Sequence, residues 1–345
     1  MTMADVLISE LQEREIPCIY SLCGNGLDPI LDASARRGMR VIDTRNEQAA
    51  AYMADTAGKL SRRIGVVAVS SGAAHMNALT GVCNAWYDGS PMLLITGASD
   101  SPHRGRGNFQ DMETADLARG LCKHSEYVDR PERLVPAIEE AITRAVTGRP
   151  GPVHLTVPMD VLEGEAIGTP DGPEKPRNST VSPNMRADED SLSRAIDLIE
   201  SSKKPLIIAG SGVFYANAAT ELAAIASAIR SPVMVPIWDR GAVDEPIPEF
   251  CGVLGAASGA PDILGEADLI LLLGAEVDYR IGYLEPPAVL PSARVVRVDV
   301  DPATMCHGVN PDLALLGDPK RVMGQMLAGL NGVSSRNDSK WLEEA

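Results

Sequence analysis

Apolar positions in the first half of the chain alternate between two periods. Val6, Leu7 and Leu11 recur at helical spacing, whereas residues 18–22 form a short apolar run that ends before Gly24, as in a buried strand. The same alternation of helix and strand continues to residue 157 with short turns. Repeated units of this kind predict a parallel sheet covered by helices on both faces.

The alternation stops at residues 162–188, where proline, glycine and charged residues dominate, as in a surface linker. It resumes with a helical pattern near residue 191 and includes the strongly apolar run 269–273. We therefore predict an α/β fold with two doubly wound domains, each a mainly parallel sheet flanked by helices. The expected bounds are 1–161 for the first domain, 162–188 for the linker, 189–330 for the second domain and 331–345 for a polar tail.

Charge and composition exclude several classes of function. The 345 residues include 31 Lys+Arg and 47 Asp+Glu, a formal charge of −16, with no basic cluster dense enough for nucleic acid. No apolar run approaches the length of a membrane span, and residues 1–15 carry too much charge for a signal peptide. The six cysteines show neither CxxC pairs nor Cys/His metal spacing. We expect a cytoplasmic protein with no metal site of its own.

Three strand-to-helix turns are expected at the carboxyl edge of the first sheet, where such folds bind ligands. They are residues 23–26, residues 44–48 and residues 70–77. Glu47 in the second turn fits a capping box with Thr44 equally well. The small residues of the third turn admit a ligand or simply allow close packing. Because three turns converge on one edge, a pocket there is favoured.

Other candidates are weaker. His75, His103, His124 and His154 have no nucleophile elbow nearby, and a lone histidine is more often structural. Cys23 has no neighbour clearly placed to lower the pKa of its thiol. In the second half, glycines and an acidic residue follow the predicted strands. Glycines at such positions can admit a pyrophosphate and an acid can bind a ribose, although ordinary turns explain these residues equally well. These residues are Gly210, Gly212, Gly274 and Asp299.

The order of several motifs carries a resemblance to a known family. The stretches are RNEQAAAYMADTAGK (45–59), VVAVSSGAAHMNALTGVCNAWYDGSPMLLITG (66–97), NFQD (108–111), GRPGPVHLTVPMDV (148–161), PLIIAGSGV (205–213), LILLLGAEVD (269–278) and VVRVDVDPATM (295–305). With these stretches the chain resembles thiamine diphosphate-dependent enzymes of the acetolactate synthase, benzoylformate decarboxylase and 2-hydroxyacyl-CoA lyase type.

The resemblance implies specific roles. Glu47 would be the catalytic glutamate that hydrogen-bonds the cofactor's pyrimidine N1′ and so promotes loss of the thiazolium C2 proton. The other cofactor-binding residues would be Ser71, Gly72, Ala73 and Asn77, and the substrate side would be lined by Gly24, Asn25, Phe109 and Gln110. The second domain would bind FAD, ADP or nothing.

Departures from the family pattern shape the functional hypothesis. Asn46 precedes the glutamate where histidine is frequent, and the chain contains no Gly-Asp-Gly triplet for Mg²⁺ and diphosphate. We therefore expect a separate partner subunit that holds both, in a hetero-oligomer built on a homodimer core. The reaction would be a lyase, decarboxylase or carboligase reaction on a 2-keto acid or 2-hydroxyacyl substrate. The alternative is a non-catalytic regulatory relative that binds an adenine nucleotide. The sequence leaves open the substrate and whether the chain is a natural split subunit.

Overall fold

The computed structural model describes residues 1–167, 185–239, 241–255, 262–330 and 340–345. The chain forms two compact units, Met1–Val181 (unit 1) and Ser182–Ala345 (unit 2). Most of the predicted linker, residues 168–184, lies outside the described residues. Its first residues belong to unit 1, because Glu165 forms a β-bridge with Thr2.

Unit 1 is a doubly wound α/β fold with a parallel sheet of strand order β2-β1-β3-β4-β6-β5. Its strands are β1 (Cys18–Ser21), β2 (Arg40–Asp43), β3 (Gly65–Ser70), β4 (Met92–Ala98), β5 (His124–Tyr127) and β6 (Pro152–Pro158). Its helices are α1 (Met3–Glu13), α2 (Asp28–Arg37), α3 (Glu47–Ser61), α4 (Ala73–Asp88), α5 (Thr114–Ala118), α6 (Pro131–Val146) and α7 (Met159–Glu163).

Both faces of the first sheet are buried. Val66 and Ala68 on β3 join the core formed with α1 and α6, whereas Val67 and Val69 join the core formed with α3 and α4. This alternation follows from the period of two in a strand. Helices α3 and α4 approach closely, since a Cβ on Gly81 would lie 2.5 Å from Cβ of Ala51. The close approach brings the N-terminal ends of these two helices together.

Unit 2 is a second doubly wound fold with a parallel sheet of strand order β12-β11-β10-β7-β8-β9. The fold class predicted for both halves is confirmed. The strands are β7 (Pro205–Ala209), β8 (Val233–Pro236), β9 (Phe250–Leu254), β10 (Leu269–Leu273), β11 (Arg294–Asp299) and β12 (Leu313–Leu316). The helices are α8 (Glu189–Ser201), α9 (Ser211–Tyr215), α10 (Ala219–Ile229), α11 (Pro319–Leu330) and α12 (Trp341–Glu344).

Part of the predicted tail belongs to unit 2. Trp341 is buried, and its indole N–H donates a hydrogen bond to the carbonyl of Pro205 at 2.7 Å. The ammonium of Lys204 lies 4.9 Å from the centroid of the same ring, a cation–π contact. Residues 331–339 lie outside the described residues. Across the described ranges, every helix is too short or too polar to cross a membrane.

Candidate active site

Glu47 is the first residue of α3, which follows the edge strand β2 after the short turn 44–46. The helix is capped by Asn46, whose side-chain oxygen accepts a hydrogen bond from the backbone N–H of Gln48 at 2.8 Å. The hydroxyl of Thr44 instead donates to the carbonyls of Ser21 and Asn46. The capping-box alternative is therefore wrong, and the Glu47 carboxylate is not used to close the helix.

Among the described residues, the Glu47 carboxylate is hydrogen-bonded through one of its two oxygens. Asn77, in the second turn of α4, donates a hydrogen bond from Nδ2 to Glu47 Oε2 at 3.0 Å. Among the described residues, Oε1 of Glu47 has no partner. The carboxylate is half-buried at the N-terminal end of α3. Through its second oxygen, a carboxylate oriented in this way can accept a hydrogen bond from a protonated ring nitrogen of a heterocycle.

The turn after β3 meets the turn after β1 and the loop 99–113. The hydroxyl of Ser70 lies 2.8 Å from both the carbonyl oxygen of Asn25 and Oε1 of Gln110. The hydroxyl of Ser71 donates to the carbonyl of Gln110 at 2.9 Å. A Cβ on Gly24 would lie 2.8 Å from that of Ser70. Residues expected on the cofactor and substrate sides therefore share one edge of the sheet.

Two of the predicted residues contribute less to this cluster. Phe109 has a side chain that is 65% exposed, and only its carbonyl joins the cluster, as acceptor for Ser99 Oγ at 3.3 Å. Ala73 is exposed and begins α4. Ser99, which also accepts from Asn25 Nδ2 at 3.2 Å, was not predicted. Ser99 could have been predicted from its position just after β4, because the end of that strand lies at the same edge of the sheet.

Gly72 is required at its position for two reasons. Its φ of +68° with ψ of −132° is a backbone conformation that residues with a Cβ rarely adopt. A Cβ built there would lie 2.8 Å from Cβ of Gln110. Gly72 thus allows the loop that carries Gln110 to lie directly on the start of α4.

We expect Gly72→Ala to lower the free energy of unfolding of unit 1 by about 3 kcal/mol, because backbone strain and the clash with Gln110 add. The matched control is Gly38→Ala, where φ is +70° but a Cβ would have nothing within 4 Å. That variant should lose only about 1 kcal/mol. Urea unfolding measures both, and equal losses would contradict the proposed clash.

Two models of one family match this chain. The thiamine pyrophosphate enzyme N-terminal TPP binding domain matches residues 1–117, and the central domain of the same family matches residues 192–326. The chain belongs to the thiamine pyrophosphate enzyme family. The N-terminal match includes Glu47, Asn77 and Gln110.

Similar full-length proteins are acetolactate synthase subunits. A probable acetolactate synthase large subunit of Methanocaldococcus jannaschii is 30% identical across 99% of this chain and 58% of that protein. The acetolactate synthase large subunit of Haemophilus influenzae is 29% identical across 99% of this chain and 60% of its own length. The acetolactate synthase isozyme 3 large subunit of Escherichia coli is 28% identical across 96% of this chain and 58% of its own length. The chain therefore spans about three fifths of the relatives that it matches.

In the family's central domain, here in unit 2, the candidate glycines contact each other. A Cβ on Gly210 would lie 2.4 Å from the carbonyl oxygen of Gly274, and one on Gly212 would lie 2.7 Å from Cα of Gly274. The Asp299 carboxylate accepts from the backbone N–H of Asp301 at 3.0 Å and from Arg297 at 3.3 Å. These contacts within the protein explain why the four residues stand at their positions, and no ligand is needed for that explanation. A nucleotide at this edge of the sheet stays a prediction.

An ion-pair network that the sequence did not indicate lies at the same edge of unit 2. Arg280 donates to Asp278 at 2.9 Å and to Asp239 at 2.8 Å, and the hydroxyl of Ser211 donates to Asp239 at 3.1 Å. The Arg280 side chain is only 9% exposed. Its acidic neighbours raise the pKa of the guanidinium despite burial, which alone would lower it. This arginine therefore binds carboxylates of its own unit.

One group of side chains in the described residues has the spacing of metal ligands. Ligand atoms of His124, Glu126 and Glu140 all lie within 4.8 Å of one another. The guanidinium of Arg133, however, donates to Glu126 at 2.5 Å and to Glu140 at 2.9 Å. Because Arg133 pairs with both carboxylates and Arg144 also pairs with Glu140, at 2.9 Å, the group is accounted for as an ion-pair cluster.

Proposed function

We propose that this chain is the pyrimidine-binding component of a thiamine diphosphate-dependent lyase, decarboxylase or carboligase, and that Glu47 activates the cofactor. The substrate class would be a 2-keto acid or a 2-hydroxyacyl compound. The proposal depends on one observation above all: Asn77 holds the half-buried Glu47 carboxylate through one oxygen, and the other oxygen has no partner among the described residues at the edge where the turns converge. The match of residues 1–117 to the family's TPP binding domain supports this assignment.

Each residue would have a defined task. The bound cofactor supplies a thiazolium that stabilises a carbanion. Glu47 would hold a proton between its free oxygen and the pyrimidine nitrogen, and Asn77 would keep the carboxylate in that orientation. Gly72 leaves room for the loop of Gln110, and Gln110 with Asn25 would then face the substrate. The small residues from Ser71 to Ala73 would leave the backbone amides at the start of α4 accessible to the cofactor.

We further propose that a partner polypeptide holds the diphosphate and Mg²⁺. A diphosphate needs a bound cation or several donors, and this chain carries a formal charge of −16 without a Gly-Asp-Gly triplet. The relatives that it matches are longer by about two fifths of their own length. Several of these relatives are named large subunits, which favours an assembly of more than one kind of subunit.

The outer face of α3 and α4 supports such a partner. Six large apolar side chains are exposed there: Tyr52, Met53, Leu60, Met76, Trp86 and Tyr87. Helix α4 has no charged residue before Asp88, although 23% of the chain is charged. An exposed apolar face of this kind is typical of a protein interface. Because it begins beside Glu47 and Asn77, a polypeptide docked on it would reach the cofactor.

We expect Tyr87→Glu to weaken assembly with the partner at least about 100-fold, because a charge would replace an aromatic anchor that is 75% exposed in the chain alone. The matched control is Tyr279→Glu in unit 2, where the tyrosine is 60% exposed. Titration calorimetry with a co-encoded Gly-Asp-Gly protein gives the affinity. Equal affinities of the two variants for the partner would show that the face of α3 and α4 is not the partner interface. If Tyr87→Glu lost only the self-association of the chain, the face would instead be the contact with a second copy.

The alternative function is a regulatory relative that binds an adenine nucleotide in unit 2. Its support is the central-domain match and the strand-end glycines, and the free oxygen of Glu47 is unnecessary for it. Calorimetry of the chain with ADP and with FAD distinguishes the two. Tight binding in the absence of any partner that confers turnover would favour the regulatory function.

A further inference from the structure

A hydrogen-bonded chain of buried polar side chains crosses the first sheet behind the candidate site. Nδ1 of His75 lies 2.9 Å from the hydroxyl of Thr96, which lies 2.9 Å from Nε2 of His154. Nδ1 of His154 lies 2.9 Å from the hydroxyl of Ser125, which donates to the carbonyl of Ala115 at 2.6 Å. His75, Thr96 and His154 are fully buried. We call these four side chains the histidine chain.

The carbonyl of Ala115 sets the direction of the hydrogen bonds in the histidine chain. Ser125 must donate to Ala115, because a carbonyl can only accept. His154 must then donate from Nδ1 to Ser125, which in the neutral ring leaves Nε2 as acceptor for Thr96. The hydroxyl of Thr156 also approaches Nε2 of His154, at 3.4 Å, but Thr96 is closer at 2.9 Å and is the better donor, so Thr96 accepts from Nδ1–H of His75. Both rings are neutral Nδ1–H tautomers, and Nε2 of His75 keeps a lone pair without a partner in the described residues.

The surroundings keep both rings neutral. Burial lowers the pKa of His75 to about 4. Burial, together with the nearby His75 and His124, lowers the pKa of His154 well below its usual value. The rings contact each other edge to face, with centroids 5.0 Å apart. A second positive charge there would be repelled, so the neutral arrangement is the stable one near pH 7.

We propose that the histidine chain positions the candidate site and that His75 is a positioning residue for the pair Asn77–Glu47. Gly72, the N-cap residue of helix α4, provides no side-chain cap, so tertiary contacts must hold the first turns of the helix. His75 ties the first turn to β4, and Asn77, two residues later, contacts Glu47. Directional hydrogen bonds fix rotation and translation of the helix, which the surrounding alanines and valines of this core do not. The role in catalysis rests on the function proposed above for Glu47.

The tautomers are tested first, in the unmodified chain. Long-range ¹H–¹⁵N spectra of protein labelled at its five histidines report the tautomer of each ring, with assignments from single His→Gln variants. We expect His75 and His154 as neutral Nδ1–H forms, the opposite of the form that free histidine prefers. An Nε2–H form of either ring would overturn the proposal.

Coupling to the site is tested by Thr96→Val, which removes the central hydroxyl at constant shape. We expect a mixture of His75 tautomers and a shift of the Asn77 side-chain amide signals, both restored in Thr96→Ser. The control is Ser34→Ala, which removes an equally buried hydroxyl of unit 1 outside the histidine chain, where Ser34 donates to the carbonyl of Ile30 at 2.7 Å. That variant should leave the Asn77 signals in place. Unchanged Asn77 signals in Thr96→Val would contradict the coupling.

The assembled enzyme gives the catalytic readout. We expect Thr96→Val to lower kcat about tenfold with KM nearly unchanged, because the cofactor-side carboxylate is misplaced while substrate contacts stay. Thr96→Ser should recover kcat. A drop in kcat of the same size in Ser34→Ala would make the role merely structural. An assembled wild type without turnover would refute the proposed function and leave the spectra as the test of positioning.

Discussion

Glu47→Gln will lower the turnover of the assembled enzyme by about 10³-fold while the chain still folds and assembles. The amide keeps the shape and can still contact Asn77, but it cannot hold a mobile proton against a ring nitrogen. The loss should appear in kcat, because the interaction acts on the activated cofactor and not on substrate binding. Steady-state kinetics with the partner present measures it.

The matched control is Glu189→Gln. Glu189 is also the first residue of a helix, α8, and follows an N-cap of its own, Asp188. The Glu189→Gln substitution therefore removes the same interaction between a carboxylate and a helix N-terminus, but outside the candidate active site. Full turnover in this variant with loss in Glu47→Gln would assign the effect to the site. Equal turnover of the two variants would show that the Glu47 carboxylate is dispensable.

Lowering the pH from 7 to 4 will reduce the free energy of unfolding of unit 1 by about 3 kcal/mol through His75 alone. The unfolded histidine has a pKa of 6.5 and the folded one about 4. Between these values the unfolded state binds a proton that the folded state does not, so stability falls as the pH falls. Above pH 6.5 both states are neutral and the contribution is complete. His154 changes in the same direction.

Denaturant titrations at several pH values measure this slope, with fluorine-labelled Trp86 as the reporter for unit 1. Carboxylates with a lowered pKa, such as Asp5 and Glu140, also destabilise the fold in acid, but only below their ordinary values near 4. In His75→Gln the slope between pH 6.5 and 4 should shrink. The exposed His103 provides the control, and His103→Gln should keep the full slope. The same slope in both variants would show that His75 titrates in the folded protein as in the unfolded one.

The fold was predictable where strands are buried on both faces. Strands β3, β4 and β10 are continuous apolar runs, which is typical of the centre of a parallel sheet. The edge strands β5, β9 and β12 do not stand out in the sequence pattern, because their residues are half-buried or alternate with exposed ones. Their pairing depends on neighbouring strands that are distant in sequence, so local periodicity is weak there.

The site was predictable in part. The position of Glu47 follows from a strand–turn–helix pattern, but its contact with Asn77 depends on the close approach of α3 and α4. The contact of Gln110 with Ser70 depends on the path of a long loop and on a left-handed φ of +55° at Gln110. The pairing of His75 with His154 crosses two strands and was invisible to a motif search, in which each histidine stands alone.

The most direct test of the central claim is the exchange rate of the C2 proton of thiamine diphosphate bound to the assembled enzyme, followed in heavy water by NMR after acid quench. If Glu47 activates the cofactor, the wild-type complex should exchange this proton at least about 10³-fold faster than the Glu47→Gln complex, with the cofactor bound in both. Equal exchange rates in the two complexes would contradict the account.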